Sequence, residues 1–295
     1  MNDTTDASSH DRRIGRRTVL SGLTGTLVAL AGCSSSPSET KSPSSETSPP
    51  PGSESDAFER VAMTETALVV ELASDTDADS VNLINPNGEM NSLQRVQEGA
   101  TQVTFQLLGE TEDGYTPGEY HVVAVAGDKT IGETTISLEP QVTITDVIWA
   151  QNNPDMDWEK SGSAWQQFAA LTVKNTGNAP TYLTAVEWRN SPQAKVSASE
   201  TVTTNLNRLL SPGETTIYTT TPVYQTEDPT GVYGAIECSE LETDTLTVTG
   251  TLQAGANPSY SQTIEYGGEK YACDLTIIDG GPTDSAQTAS NGSDS

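Results

Sequence analysis

The residues of this chain that could do chemistry are few, and its three cysteines are the most informative of them. Cys33 follows an apolar segment near the N-terminus, whereas Cys238 and Cys273 lie toward the C-terminus, near the ends of apolar runs. In an oxidising exterior such a pair of thiols forms a disulfide. A two-cysteine metal site or two free thiols are the alternatives, although no histidine lies near either cysteine. The sequence therefore favours a Cys238–Cys273 disulfide and leaves Cys33 for another role.

Groups suited to catalysis or metal binding are scarce. The chain has two histidines, and His121 is the one beyond the N-terminal segment. A single histidine cannot build an all-histidine zinc site, and no HExxH, GxSxG, P-loop or dinucleotide fingerprint is present. Asp75–Ser80 begins like an EF-hand loop, but Ser80 and Pro86 stand where that loop needs glycine and glutamate. We therefore expect no enzymatic activity, no cofactor and no metal, with His121 as a surface residue.

One segment has the composition of a binding site. Trp149, Trp158 and Trp165, three of the four tryptophans, surround a polar stretch rich in Asn and Asp. Exposed tryptophan beside such residues suits sugar stacking or a protein-binding hot spot. The alternative is that Trp149 and Trp165 close strand ends in the core and only Trp158 is free. Trp158 is thus the candidate ligand contact.

The charge of the chain excludes several classes of partner. It carries 41 acidic and 14 basic residues, a net charge of −27. Nucleic acid is not an expected partner, because phosphate binding needs clustered Lys and Arg. Docking on anionic lipid is excluded for the same reason. The carboxylates are dispersed, which is typical of the hydrated, self-repelling surfaces of halophilic proteins.

The N-terminus has the features of an export signal. Arg16 and Arg17 precede an apolar run from Thr18 to Ala31, which is 14 residues long. A membrane-spanning helix needs about 20 residues. A basic start, a short apolar region and small residues before a cleavage point are typical of a secretory signal. The paired arginines indicate the twin-arginine type, so we assign residues 1–32 to a twin-arginine signal peptide.

The end of this signal resembles the lipobox of lipoproteins. The residues are Leu30-Ala31-Gly32-Cys33. The resemblance implies cleavage before Cys33 and a thioether-linked lipid on its sulfur. A chance cysteine after a plain signal peptide is one alternative, and an uncut signal anchor is another. The expected location is the extracellular face of the cell membrane, with the membrane itself as a partner through the lipid on Cys33.

Polar segments flank the part of the chain that can fold. Residues 33–57 are rich in Ser, Pro, Thr and Glu, and residues 280–295 form a second polar run. Such segments cannot bury enough apolar surface to offset the entropy of ordering them. We therefore expect a disordered linker and a disordered acidic tail.

Between these segments the pattern is that of an all-β protein. In residues 58–139, short runs such as Leu68–Leu72 and Val81–Ile84 alternate with turn signals, and Val103, Phe105 and Leu107 share one face. This pattern predicts a first β-sandwich. The second domain, residues 140–279, has its clearest strand at Thr245–Leu252, where apolar residues alternate with threonines.

Two sets of turn motifs resemble known β-sandwich modules. Pro117-Gly118-Glu119-Tyr120 followed by a Gly127-Asp128 hairpin is similar to immunoglobulin-like modules of archaeal and bacterial surface proteins. Residues 174–179 and 210–215 resemble the turns of CARDB-type sandwiches, which are adhesion-related. The resemblance implies two tandem immunoglobulin-like sandwiches in a haloarchaeal surface lipoprotein.

Two functions from different classes remain. The first is a structural, adhesive or partner-binding role at the cell surface, with a surface protein or glycan as partner. The second is capture of a glycan or solute through the Trp149–Trp165 loop. An exposed Trp158 over a concave polar surface would favour capture, and buried tryptophans would favour a scaffold.

Overall fold

The computed structural model describes residues 56–109, 113–160, 163–191, 201–224, 238, 241–269 and 272–283. Within them the regular structure is β, apart from two 3-10 turns at Ala150–Asn152 and Ser163–Gln167. The predicted all-β class is therefore confirmed. Arg16 and Arg17 of the predicted export signal, and Cys33, the predicted lipid site, lie outside the described residues. No helix in the described part of the chain is long and apolar enough to cross a membrane.

Among its described residues, the first sandwich contains seven strands in two antiparallel sheets. One sheet has the order β1-β2-β5, and the other has the order β4-β3-β6-β7. The strands are β1 Phe58–Met63, β2 Ala67–Leu72, β3 Ser80–Ile84, β4 Met90–Arg95, β5 Gln102–Gln106, β6 Gly118–Ala126 and β7 Lys129–Leu138.

The core of this sandwich comes from the apolar alternation of its strands. In β5, Val103 and Phe105 are buried while the residues between them are exposed. In β6, Tyr120, Val122 and Ala124 face the core. Because successive side chains of a strand point to opposite faces, this alternation places one face of each sheet against the other.

The described part of the second sandwich contains eight strands. Its sheets have the orders β12-β9-β8 and β11-β10-β13-β14-β15. The strands are β8 Val142–Trp149, β9 Ala169–Asn175, β10 Thr181–Arg189, β11 Thr201–Leu210, β12 Gly213–Tyr218, β13 Asp244–Leu252, β14 Ser259–Glu269 and β15 Ala272–Thr283.

The two sandwiches share one topology. If the strands of each are taken in chain order, the first, second and fifth form one sheet, and the fourth, third, sixth and seventh form the other. The second sandwich adds β15, which pairs with β14 at the edge of its larger sheet. The chain is thus two tandem immunoglobulin-like sandwiches, the second of them with one extra strand.

Both ends of the folded part extend beyond the predicted boundaries. Ala57 is buried, and its carbonyl oxygen accepts a hydrogen bond from the amide of Ala73. At the other end, β15 continues to Thr283, past the predicted start of the tail at residue 280. Gly280 pairs with Gln262, and a Cβ at Gly280 would overlap the Tyr260 hydroxyl. A polar Gly-rich sequence therefore still completes an edge strand here, because its partner strand supplies the packing.

Candidate functional site

The tryptophan segment begins inside the core of the second sandwich. Trp149 is fully buried at the end of β8, and its ring centroid lies 6.3 Å from that of Trp188. Its indole N–H donates to Gln262 Oε1 at 2.7 Å, and Gln262 Nε2 donates to the Val147 carbonyl at 3.1 Å. These bonds satisfy the polar atoms of the buried pair and join β8 to β14 across the core. Trp149 is a core residue, as the alternative interpretation expected.

Trp158 is buried as well, so the prediction that it is free to contact a ligand is wrong. Its exposed fraction is 6%. The indole N–H donates to the Asn153 carbonyl at 2.7 Å, and the ring stands edge-on to Tyr218 with centroids 4.9 Å apart. The physical reason is that the outer face of the β12-β9-β8 sheet is apolar here, with Ala170 and Ile148 beneath the indole in one cluster. The segment folds over this face and covers it.

Trp165 is the most accessible of the three tryptophans in this segment. It is half-buried and packs at the margin of the same outer cluster. The Lys160 ammonium lies 5.0 Å from its ring centroid, within the range of a cation–π contact. Lys160 also donates to the Pro154 carbonyl. The tryptophan segment is therefore a cap held in place by its own contacts.

The predicted disulfide is present. The sulfur atoms of Cys238 and Cys273 are 2.04 Å apart. The bond joins the chain ahead of β13 to the start of β15. Three side chains hold the same region: the Tyr224 hydroxyl and Gln151 Nε2 both donate to the Cys273 carbonyl, and Asn152 Nδ2 donates to the Leu275 carbonyl at 2.9 Å. The tryptophan segment and the disulfide thus converge on β15.

The tyrosines around this region are shielded from water. Burial raises the pKa of Tyr224 above its usual value, and the nearby Asp274 carboxylate raises it further. Burial likewise raises the pKa of Tyr266, with Asp244 adding to the effect. Both phenols are therefore neutral in the folded protein through neutral and mildly alkaline pH.

His121 occupies the outer face of the first sandwich, as predicted. Its side chain is 40% exposed, with Nδ1 3.1 Å from Glu133 Oε1 and Nε2 3.9 Å from Glu119 Oε1. The segment that begins like an EF-hand is a turn, in which Asp79 Oδ2 accepts the amide of Gly127 at 2.6 Å. Among the described residues, no group of three or more His, Cys, Asp or Glu side chains is arranged to hold a metal ion.

The junction between the sandwiches is short and heavily bonded. Three residues, 139–141, separate β7 from β8. Asn178 bonds to both backbone groups of Glu139, the first linker residue. The Asn178 amide donates to the Glu139 carbonyl at 3.0 Å, and Asn178 Oδ1 accepts the Glu139 amide at 2.8 Å. Its Nδ2 also donates to the Ser137 carbonyl at 3.0 Å. On the far side, Gln141 donates to Asn175 Oδ1 at 3.1 Å and accepts the amide of Thr176 at 2.8 Å.

A second group of bonds joins the sandwiches away from the linker. Gln253 makes a paired contact with Gly109, with Nε2 donating to the carbonyl at 2.6 Å and Oε1 accepting the amide at 3.2 Å. The Tyr115 hydroxyl donates to the Pro180 carbonyl at 2.7 Å in a buried setting. Burial raises the pKa of Tyr115 above its usual value. These partners lie between 65 and 144 residues apart in the chain, so they are true interdomain contacts.

Glycine permits the close approach of the two backbones. A Cβ at Gly177 would overlap the carbonyl oxygen of Glu139 and the amide of Gln141. A Cβ at Gly114 would overlap the Gln253 carbonyl oxygen, and φ there is +86°. From the sequence alone, the Asn-Thr-Gly-Asn motif at residues 175–178 predicts only a turn. The signal for an interdomain contact is Gly177 with Asn175 and Asn178 beside it. The glycine lets the linker backbone come close, and the two asparagine side chains bond to that backbone.

Apolar packing completes the junction. Ala179 and Ala254 of the second sandwich are buried within the core cluster of the first, and Tyr182 and Leu209 pack against that cluster. The core cluster of the second sandwich, in contrast, consists of residues from that sandwich alone. The junction is therefore an extension of the first core onto the surface of the second domain.

Comparison with known proteins identifies no relatives by sequence. No family model matches the chain, and no curated protein matches it. Among solved structures, a two-domain fibronectin type III segment of chicken tenascin is similar at 13% identity, with a TM-score of 0.22, over 75% of this chain and 96% of that chain. The tetra-tandem repeat in the extending region of a large adhesion protein is similar at 14% identity and a TM-score of 0.20, over 77% and 48%.

A family 2 glycosyl hydrolase from Bacteroides cellulosilyticus is similar over a smaller share of its own length. The identity is 12% and the TM-score 0.20, with 70% of this chain and 25% of that chain covered. Similarities at these scores carry no argument about function. The architecture described above rests on the strand order and register of this chain.

Proposed function

We propose that this protein is a lipid-anchored surface protein on the extracellular face of the cell membrane, and that its two sandwiches act as one structural or adhesive unit. The observation that carries the proposal is the junction. A flexible tether between the sandwiches would leave each to move alone, whereas the linker here is bonded on both sides and flanked by shared apolar packing. Such a unit keeps a fixed spacing between its two ends.

The tether to the membrane is supported by the sequence. Arg16 and Arg17, the apolar run and the Leu-Ala-Gly-Cys ending support export and lipid attachment at Cys33. The polar linker that follows would reach roughly 70 Å if stretched at about 3.1 Å per residue. A single lipid chain gives weak membrane binding, so firm anchoring implies two chains on Cys33.

A non-catalytic role fits the polar groups of the described residues. The histidine of the first sandwich is held between two glutamates on an open face. Several buried asparagine and glutamine side chains are used in structural bonds, such as Gln262 to Trp149 and Asn175 to the Ala179 carbonyl. We therefore propose that the protein acts by holding and presenting surfaces.

Ligand capture through Trp158 loses its main support. The indole of Trp158 is covered, and its N–H is already bonded. The neighbouring tryptophans are a core residue and a cap residue.

A protease experiment on intact cells tests the surface location and the unit together. A glutamate-specific protease should cut the linker at Glu39, Glu46 or Glu54 and leave Glu139 intact, because both backbone groups of Glu139 are bonded to Asn178. We expect one released fragment that contains both sandwiches. Cleavage at Glu139 into separate sandwiches would contradict the single unit, and release only after cell lysis would contradict the surface location.

The anchor has its own test in the native host. A Cys33→Ser variant should leave the membrane fraction, because it has no sulfur for the lipid. An Arg16→Lys/Arg17→Lys variant is the matched control and should keep the full N-terminal run inside the cell. Retention of the Cys33→Ser protein in the membrane with an uncut N-terminus would show that a signal anchor, not a lipid, holds it.

A further inference from the structure

A groove opens between the two sheets of the second sandwich. Strands β11 and β12 are edge strands of different sheets, and among the described residues neither has a neighbour on its outer side. The space between them has a volume of about 510 Å³. Sites for small ligands usually measure about 300–1,000 Å³. We call this space the β11–β12 groove, and the side chains used in the argument are Tyr182, Asn207, Arg208, Thr215, Thr216 and Tyr218.

Arg208 gives the groove its charge. It is the one charged side chain among the groove residues, and it is exposed. Arg60 and Arg189 pair with glutamates at 3.5 and 3.6 Å, whereas Arg208 has no carboxylate within ion-pairing distance in the described part of the chain. Arg95 likewise has no carboxylate within that distance among the described residues, but Arg208 is the one of the two that lines this groove. Its guanidinium fork is available to an external carboxylate.

A second cleft of this protein has acidic walls, so a positive charge is not common to both clefts. It lies in the first sandwich and has a similar volume, about 470 Å³. Its walls include Asp77, Asp79 and Glu98 and no basic residue. An anion would be repelled there, whereas the β11–β12 groove presents one cation and neutral polar groups.

The neutral walls of the groove suit a sugar ring. Tyr182 and Tyr218 supply aromatic surface with polar hydroxyls, and Asn207, Thr215 and Thr216 supply amide and hydroxyl groups. Tyr218 is held in place by the edge-on contact with Trp158, which is itself fixed by its bond to Asn153. The tryptophan segment thus positions a groove residue instead of touching a ligand itself. Rigid aromatic surface beside neutral polar groups is the environment in which the apolar face and hydroxyls of a sugar are recognised.

We propose that the β11–β12 groove binds a saccharide that carries carboxylates, such as a glycan of uronic acids. Arg208 takes a carboxylate through its two parallel N–H groups, and the tyrosine and threonine side chains contact the ring. This binding goes beyond the proposed structural role, since it does not depend on the lipid. Tyr182 is shared by the groove and the junction, because it also packs against the core cluster of the first sandwich.

The affinity of such binding should not fall as salt is added, unlike that of most contacts between opposite charges. Most of the surface is acidic and repels an anionic glycan at long range, whereas the Arg208 contact acts at short range. The Debye length falls from about 10 Å at about 0.1 M salt to about 3 Å at about 1 M. The repulsion is therefore screened more than the contact, and the affinity should hold or rise as salt is added.

The test is a titration of the purified, lipid-free protein with a short oligogalacturonate, followed by calorimetry. Its methyl ester, which has the same backbone without charges, is the matched ligand control. We expect the acid to bind and the ester to bind at least about tenfold more weakly. An Arg208→Gln variant should also lose at least about tenfold in affinity, the size of a charge-assisted hydrogen bond. Arg95→Gln, at an exposed arginine on β4, should bind as the wild type does.

The outcomes separate the competing occupants. Arg208→Lys keeps the charge but not the fork, so an intermediate affinity supports the bidentate contact. Equal binding of acid and ester, or no effect of Arg208→Gln, would overturn the proposal, as would no binding of the oligogalacturonate. Equal or tighter binding of an oligoglutamate peptide would assign the groove to acidic peptides instead. None of these results depends on where the protein resides in the cell, so the surface role stands or falls separately.

Discussion

The two sandwiches share a strand order, yet they are stabilised in different ways. The first has seven strands among its described residues, and its sequence contains no cysteine and no tryptophan. The second adds β15, the Cys238–Cys273 bond and a tryptophan cap over its outer face. The same topology therefore serves once as a minimal module and once as a reinforced one.

The packing between the two sandwiches is also one-sided. Four residues of the second sandwich complete or border the core cluster of the first, namely Ala179, Tyr182, Leu209 and Ala254. The core cluster of the second contains none from the first. The reinforced module should therefore support the minimal one, and damage at the junction should weaken the first sandwich more than the second.

All four tryptophans lie in the second sandwich, so tryptophan fluorescence reports that module alone. The amide signals of β2, β5 and β6 report the first. The comparison between the modules can thus be followed with separate probes in one sample.

Loss of the disulfide should have the largest effect. Its partners are 35 residues apart, and closing a loop of that length contributes about 3–4 kcal/mol in the chain-entropy model. A Cys238→Ala/Cys273→Ala variant should lose about that much free energy of unfolding in urea, measured by tryptophan fluorescence. Reduced wild type is the control and should match the variant. An unchanged unfolding midpoint would show that β15 is held by its side-chain bonds alone.

Removal of the tryptophan cap should have the second-largest effect on stability. Trp158→Ala leaves the apolar outer face of β8, β9 and β12 uncovered and should cost about 3 kcal/mol. The half-buried Trp165 offers a matched control, and Trp165→Ala should cost clearly less. If both substitutions have the same small effect, the cap does not stabilise the second sandwich.

A methyl group added at the junction should have a smaller effect on stability, and the sandwich affected should be the first one. Gly177→Ala places a Cβ against the linker backbone and should cost about 1–3 kcal/mol, as overpacking does. Gly267→Ala is the control, since a Cβ there meets nothing within 4 Å. Hydrogen exchange should speed up in β2 and β6 for Gly177→Ala only. Faster exchange confined to β10 and β13 would reverse the direction of dependence described here.

Alkaline pH should have no effect until the tyrosines titrate. Burial raises the pKa of Tyr115, Tyr224 and Tyr266 above the ordinary value of 10.0. These three phenols therefore add no pH dependence to stability well below that value. Stability falls as pH rises through it, because the unfolded chain loses protons that the folded protein keeps. Tyr224→Phe should make the loss less steep when fluorescence-detected stability is plotted against pH. A stability that rises above pH 10 would contradict the burial of these phenols.

The strands with one buried face were predictable from the sequence. Leu68–Leu72 lies within β2, Val81–Ile84 within β3 and Thr245–Leu252 within β13, each with alternating burial. Edge strands were harder to recognise. In β4, Met90 and Leu93 are exposed, and in β15 the residues around Ile277 are exposed on both faces. Without a buried face there is no alternation to detect, and pairing with the neighbouring strand decides the structure.

The disulfide followed from counting cysteines, but the environment of Trp158 did not follow from its neighbours. Whether a polar loop leaves its tryptophan free depends on which sheet face the loop folds over. That face is built from Ile148, Ala170 and Tyr218, which come from three different strands. The groove beside Arg208 was missed for the same reason, because its walls come from two sheets.

Backbone amide NMR relaxation of the lipid-free protein tests most directly whether the two sandwiches form one unit. Rotational diffusion can be fitted separately to amides in the strands of each module. The bonded junction around Asn178, Gln253 and Tyr115 predicts that both sets yield one common diffusion tensor. Two independent tensors, each with the faster tumbling of a single sandwich, would contradict it.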